Sequence, residues 1–160
     1  MRDWWSRIWI IQEVAVASEV LMKCGHEEVP LDEFERAAEF LMARMGRAGT
    51  RGFTRMANIR EVMKIRGFSR AKSPLMIGDL VARNRICQAT DPRDMVYALL
   101  GLSTDGEDEC LQPDYSESSK TVTIYARLIE HTIMHGKDLD IIFLRAPDLS
   151  KSDWPSWVPD

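Results

Sequence analysis

The sequence predicts a predominantly helical α/β fold with few strands. Six segments carry apolar residues at the three-and-four spacing of a helix face, whereas two short runs, Val20 to Cys24 and Leu139 to Leu144, have the length and character of strands. The chain has 160 residues, of which 45% are hydrophobic and 29% charged. That is ordinary globular composition, and a chain of this size can hide roughly two thirds of its surface in a core. It excludes a wholly disordered, collagen-like or disulfide-stapled chain.

The elements follow in order. Asp3 is a candidate N-cap for a helix to about Ser18, with Trp4, Ile8, Ile11 and Ala15 on one stripe. Val20 to Cys24 is a strand ended by Gly25, and Pro30 and Asp32 open a helix to about Met45 with Phe34, Ala37, Ala38, Leu41 and Met45 inward. Residues 46–73 read as a basic variable loop: Gly46 to Phe53 is glycine-rich, and Ile59, Val62, Met63 and Ile65 suggest a short helix inside it. A helix from about Pro74 to Cys87 turns Leu75, Ile77, Leu80 and Val81 inward. Asp91 and Pro92 start a compact helix over Met95 to Leu100, which Gly101 stops. Ser116 or Ser118 caps a long helix to His135 with Val122, Tyr125, Leu128, Ile129 and Ile133 as its core face, and Pro155 and Pro159 hold the last segment extended.

The formal charge is −4, which argues against a domain whose overall field gathers nucleic acid or coats an anionic membrane. The charge is segregated. Arg44 to Lys72 holds nine basic residues against Glu61 alone, while Ser103 to Ser119 holds six acids and no base. Two such segments in one small chain are expected to lean on each other. A mixture of Gly, Arg and Phe also suits single-stranded nucleic acid, but the acidic balance makes nucleic acid an unexpected partner. Cys24, Cys87 and Cys110 are odd in number and lack a CxxC pair, so the thiols read as reduced and the protein as cytoplasmic, with no membrane span.

Phosphate loops, dinucleotide fingerprints and hydrolase elbows are absent from the sequence. His131 and His135 stand four apart on a helix, the spacing of two metal ligands, but the local string is EHTIMH without a third ligand in view, so the pair reads as solvated and no metal is expected. Trp9 and Glu13 lie one turn apart on the polar strip of an otherwise apolar helix. A carboxylate there requires a partner, either Arg2 or Arg7 in a structural network or a ligand at a catalytic site.

Five blocks, RDWWSRIWIIQEVAVA (Arg2 to Ala17), VLMKCG, CQATDPRDMVYALLGL (Cys87 to Leu102), QPDYS (Gln112 to Ser116) and WPSWVPD, together resemble the fungal heterokaryon incompatibility (HET) domain, in the family's order. The family motif then rests on Asp91, Pro92, Arg93, Asp94, Tyr97, Pro113, Asp114, Tyr115 and Trp157. Residues 27–72 match no block of the family. Family blocks that precede WxRxWxxQE, a YxxLSYxWG and a CINQ string, are missing, so residues 1–160 are expected to be the C-terminal half of the domain, without its N-terminal half.

The resemblance implies a trigger of programmed cell death in fungal non-self recognition, working with itself or with another incompatibility or signalling protein. HET domains are distantly similar to TIR domains, many of which cleave NAD or bind nucleotides, and TIR domains carry a tryptophan four residues before the catalytic glutamate. By that resemblance Glu13 is the candidate catalytic residue, Trp9 and Arg7 are candidate binding residues, and NAD is a candidate substrate with no tightly bound cofactor. Ile10 stands where many TIR domains have cysteine. With the preceding blocks missing, the isolated chain is expected to be inactive on NAD. The alternative is a non-enzymatic oligomerisation scaffold of the same family.

Overall fold

The computed structural model describes residues 3–45, 51–136, 141–142, 154–155 and 158. They form a mostly helical chain with six α-helices and one small two-stranded sheet, the fold class that the sequence predicts. The chain divides into two units, Met1–Ser73 with Ile86–Gln88, and Pro74–Arg85 with Ala89–Asp160.

In the first unit, the helix expected from Asp3 to Ser18 is broken. Asp3–Ser6 forms a 3-10 turn, Arg7 pairs with Gln88 in a parallel β-bridge, and α1 runs only over Trp9–Val16. The Gln88 amide donates to the Ser6 carbonyl at 2.6 Å and the Ile8 amide to the Gln88 carbonyl at 3.0 Å. These bonds take backbone groups a continuous helix would have used. Ile8, Ile10, Ile11, Val14 and Ala15 are buried, each large side chain contributing on the order of 1.5–3 kcal/mol.

β1 (Leu21–Cys24) and β2 (Glu27–Pro30) make an antiparallel hairpin, with Lys23 opposite Glu28 and their side chains bonded at 2.6 Å. Gly25, with φ +67°, occupies the first central position of the turn, where an L side chain would be strained. β2 is unexpected, because GluGluValPro has no strand alternation and both glutamates stay exposed. α2 (Leu31–Met45) forms as predicted, but its expected core face is only partly used: Leu31 and Ala38 are buried, whereas Ala37 and Leu41 are exposed.

The basic segment is mainly helix. α3 (Arg51–Arg70) is a 20-residue helix where a loop to Phe53 and a short helix are expected; residues 46–50 lie outside the described ones. Burial of Asn58, Ile59, Val62, Met63, Ile65 and Arg66 against α1 and α2 outweighs the roughly 1 kcal/mol that a helical glycine costs at Gly52 and Gly67. Arg66 closes α1: its guanidinium donates to the carbonyls of Val14, Ala17 (2.7 Å) and Ser18 (3.3 Å). Arg70 adds a bond to Ser18. Helix C-termini leave carbonyls without intrahelical donors, and here a side chain supplies them.

In the second unit, α4 (Ile77–Asn84), α5 (Asp94–Leu100) and α6 (Thr121–Gly136) surround a core built on Val96 to Leu100. α4 lacks a cap of its own, and the Ile77 amide donates instead to the Asp105 carboxylate at 2.9 Å. α6 begins at Thr121, later than Ser116 or Ser118, because Ser116 belongs to the loop that Asp114 folds by accepting its amide at 2.9 Å. Its deeply buried residues are Ile124, Leu128, Ile129 and His131, while Val122, Tyr125 and Ile133 are only half-buried. The strand expected over 139–144 lies outside the described residues except 141–142, where Ile141 is buried. The Val158 amide donates to the Pro155 carbonyl, and most of the final segment expected to be extended lies outside the described residues.

Two outcomes follow for stability. Arg66→Ala leaves three carbonyls at the end of α1 short of donors and is expected to cost about 2–4 kcal/mol by urea unfolding. A Cβ at Gly78 would overlap the Thr132 side chain across the α4–α6 contact. Gly78→Ala should therefore cost about 1–3 kcal/mol, and Thr132→Ala in the same chain should recover much of it.

Candidate functional site

In the first unit, Glu13 is exposed on α1 and stands in the wall of a groove of about 900 Å³ together with Trp4, Trp5, Val14, Val20 and Phe34. Trp5 is buried and stacks flat on Phe34, with ring centroids 5.6 Å apart and planes within 5°, while Trp4 meets Trp5 edge-on at 4.8 Å. This side of the groove is thus aromatic. Among the described residues no hydrogen bond or ion pair engages the Glu13 carboxylate; of its two expected arginine partners, Arg7 makes no such bond and Arg2 lies outside the described residues. Trp9 shares its face of α1 but is not in the groove wall, and Arg7 is exposed, its backbone engaged in the bridge to Gln88. The structure therefore joins Glu13 to Trp4, Trp5 and Phe34, and does not bring Arg7 into the groove.

In the second unit, the motif residues form one connected clamp. Arg93 forks onto Asp91 through Nε (3.0 and 3.1 Å) and Nη2 (2.7 Å), while Nη1 donates to the carbonyls of Ser116 (3.1 Å) and Ser119 (3.3 Å). The guanidinium lies 5.2 Å over the Tyr115 ring, and the Tyr115 hydroxyl donates to Asp94 at 2.6 Å. The Tyr97 hydroxyl accepts from the Asp114 amide at 3.1 Å, and its ring meets Tyr115 edge-on at 5.2 Å. Asp91 also accepts the Arg93 amide, the Asx turn that leads into α5, which starts two residues after Pro92. Pro113 opens the loop that Asp114 folds, and Trp157 lies outside the described residues. Every charged end of this clamp faces another protein group. The arrangement fixes the 113–119 loop onto the start of α5.

His131 overturns its reading as a solvated histidine. Its side chain is 1% exposed, Nε2 is 2.9 Å from Asp105 Oδ2, and Nδ1 faces Asp108 Oδ2 at 3.6 Å and Cys110 Sγ at 3.7 Å. His135 stacks on it at 4.1 Å and remains exposed. Sequence reasoning missed Asp105, Asp108 and Cys110, because more than twenty residues separate them from His131 and only the fold brings them together. Within its own unit, Asp105 takes His131 and the Ile77 amide, and Arg66 and Arg70 take carbonyls.

No family model matches the chain, and no solved structure matches it. The sequence is similar to heterokaryon incompatibility protein 6, OR allele, of Neurospora crassa, 24% identical over 190 aligned positions that take in 99% of this chain and 28% of that protein. The chain therefore spans little more than a quarter of the length of the relative it matches.

The clamp sets a pH dependence. Hydrogen bonds from the Arg93 side chain and amide hold the Asp91 carboxyl below the usual carboxylate range. A carboxylate with a depressed folded-state pKa stabilises above its unfolded value, and the contribution is lost as pH falls through the lower, folded one. Stability measured by chemical unfolding should thus fall as the pH drops below about 4, and Asp91→Asn should flatten that part of the profile while lowering stability at pH 7.

Proposed function

We propose that the chain is a segment of a heterokaryon-incompatibility-type protein that acts in the fungal cytoplasm, where non-self recognition leads to programmed cell death, and that Glu13 on its aromatic groove meets NAD or a related nucleotide. The observation that carries this reading is the uncommitted Glu13 carboxylate beside Trp4, Trp5 and Phe34, in a groove whose size is that of a small-molecule site. Similarity to the Neurospora protein supports the family, and the Trp9–Glu13 spacing supports a TIR-like arrangement.

The chemistry asks little of the protein. Nicotinamide leaves the ribose as a neutral molecule from a cationic bond, so no general acid is required. Glu13 accepts hydrogen bonds from the ribose hydroxyls and offsets the positive charge of the oxocarbenium-like transition state. Water then adds at the anomeric carbon and its proton passes to solvent. Because the relative is much longer than this chain, the activity belongs to the longer protein.

A second reading, a non-enzymatic scaffold, is favoured by the exposed apolar side chains of Val16, Leu21, Phe40 and Leu41, which suit self-association or an incompatibility partner. One experiment separates the two. In a full-length protein carrying this segment, Glu13→Ala should change stability by less than about 0.5 kcal/mol, as expected for an exposed position, leave self-association intact, and abolish both NAD cleavage and killing. Killing that persists without cleavage would establish the scaffold reading instead.

A further inference from the structure

We propose that Asp108, Cys110 and His131 form a binding site for a divalent transition-metal ion of the zinc type. Their ligand atoms, a carboxylate oxygen, a thiol sulfur and an imidazole nitrogen, lie within 4.8 Å of one another. A tetrahedral ion with bonds of about 2.0–2.3 Å separates its ligand atoms by about 3.3–3.8 Å. The His131 Nδ1 distances to Asp108 Oδ2 and Cys110 Sγ, 3.6 and 3.7 Å, fall in that range. The mixture of nitrogen, sulfur and oxygen suits zinc or cobalt better than magnesium or calcium, which take oxygen ligands.

The surroundings prepare these atoms. Asp105 Oδ2 lies 2.9 Å from His131 Nε2 and can accept its proton; in the tautomer that bond favours, Nδ1 presents a lone pair toward Cys110 and Asp108. A carboxylate behind a ligating histidine is the usual outer support of a zinc site. Asp105 is itself fixed, because its other oxygen accepts the Ile77 amide at the start of α4. Asp108 is divided in the same way: Oδ1 accepts the Cys110 amide at 2.9 Å and Oδ2 is turned to His131. Buried Leu111 anchors the 3-10 turn Glu109–Leu111 that carries Cys110. Gly106 is needed between the two aspartates, since a Cβ there would overlap the Leu100 carbonyl. The imidazole is buried, while Asp108 and Cys110 are reached from solvent, so an ion has an entry path and a fourth position for water. Binding replaces the thiol proton with a metal–sulfur bond and releases that proton to solvent.

Cobalt(II) titration of the chain under reducing conditions reads the site directly. One equivalent should produce a thiolate-to-cobalt charge-transfer band and tetrahedral d–d bands, which zinc then removes by displacement. Cys110→Ser should abolish the charge-transfer band, Asp108→Asn should weaken binding at least tenfold, and Cys24→Ser should leave both unchanged. All three positions are exposed or partly exposed, and circular dichroism checks that each variant folds. Zinc should also raise the midpoint of thermal unfolding in the parent chain and not in Cys110→Ser. Absence of the band at stoichiometric cobalt, or its persistence in Cys110→Ser, would overturn the proposal.

Discussion

Backbone carbonyls that end an element must find donors, and in both units an arginine guanidinium provides them. Arg66 spans the last turn of α1 and the residues after it, reaching Val14, Ala17 and Ser18. Arg93 spans the 113–119 loop through Ser116 and Ser119 while forked on Asp91. A lysine could satisfy neither set, because it concentrates its donors at one point where these carbonyls are spread along a segment. The environment of Arg66 disfavours its charge through burial, with Arg70 adding repulsion. Three carbonyl dipoles offset that penalty, and α3 is thereby fastened to the end of α1.

How far the sequence could be read follows from where information is local. The starts and stops of α2 and α5, and β1, are written in neighbouring residues: Pro30 and Asp32, Asp91 and Gly101, Gly25. The break at Arg7 was not legible, because it depends on Gln88, far along the chain. Nor was the full length of α3, where glycines argue for a loop and buried packing decides for a helix. In the groove, Glu13 was legible and its wall was not, since Phe34 comes from another helix. His131 is the clearest case. Its i, i+4 relation to His135 is visible in the sequence, but its actual partners come from the acidic loop.

Within each unit, charged groups of the two segregated segments are engaged by partners of that unit. Exposed ion pairs contribute at most about 1 kcal/mol each, whereas buried acceptors at a helix end cost more than that when left without donors. Arg66 and Arg70 of α3 therefore serve carbonyls. The acidic loop spends Asp105 on a helix start and an imidazole, Asp108 and Asp114 on turns of their own. A run of like charge in sequence is here a set of separate local duties.

The same reasoning separates framework from chemistry. Asp91, Asp94 and Asp114, for all the specificity of the string that holds them, have their oxygens committed to Arg93, Tyr115 and backbone amides, and a committed carboxylate must break native bonds before it can serve a ligand. A distinctive block of sequence can thus be distinctive because a planar, bidentate, ring-stacked arginine admits no substitute. Side chains that the framework leaves over are the ones on which the two proposals rest: Glu13 on its aromatic groove, and Asp108 Oδ2 and Cys110 Sγ beside His131 Nδ1. Neither set stands out by its own sequence pattern as strongly as the clamp does, because a reactive group needs room around it and a clamp needs neighbours.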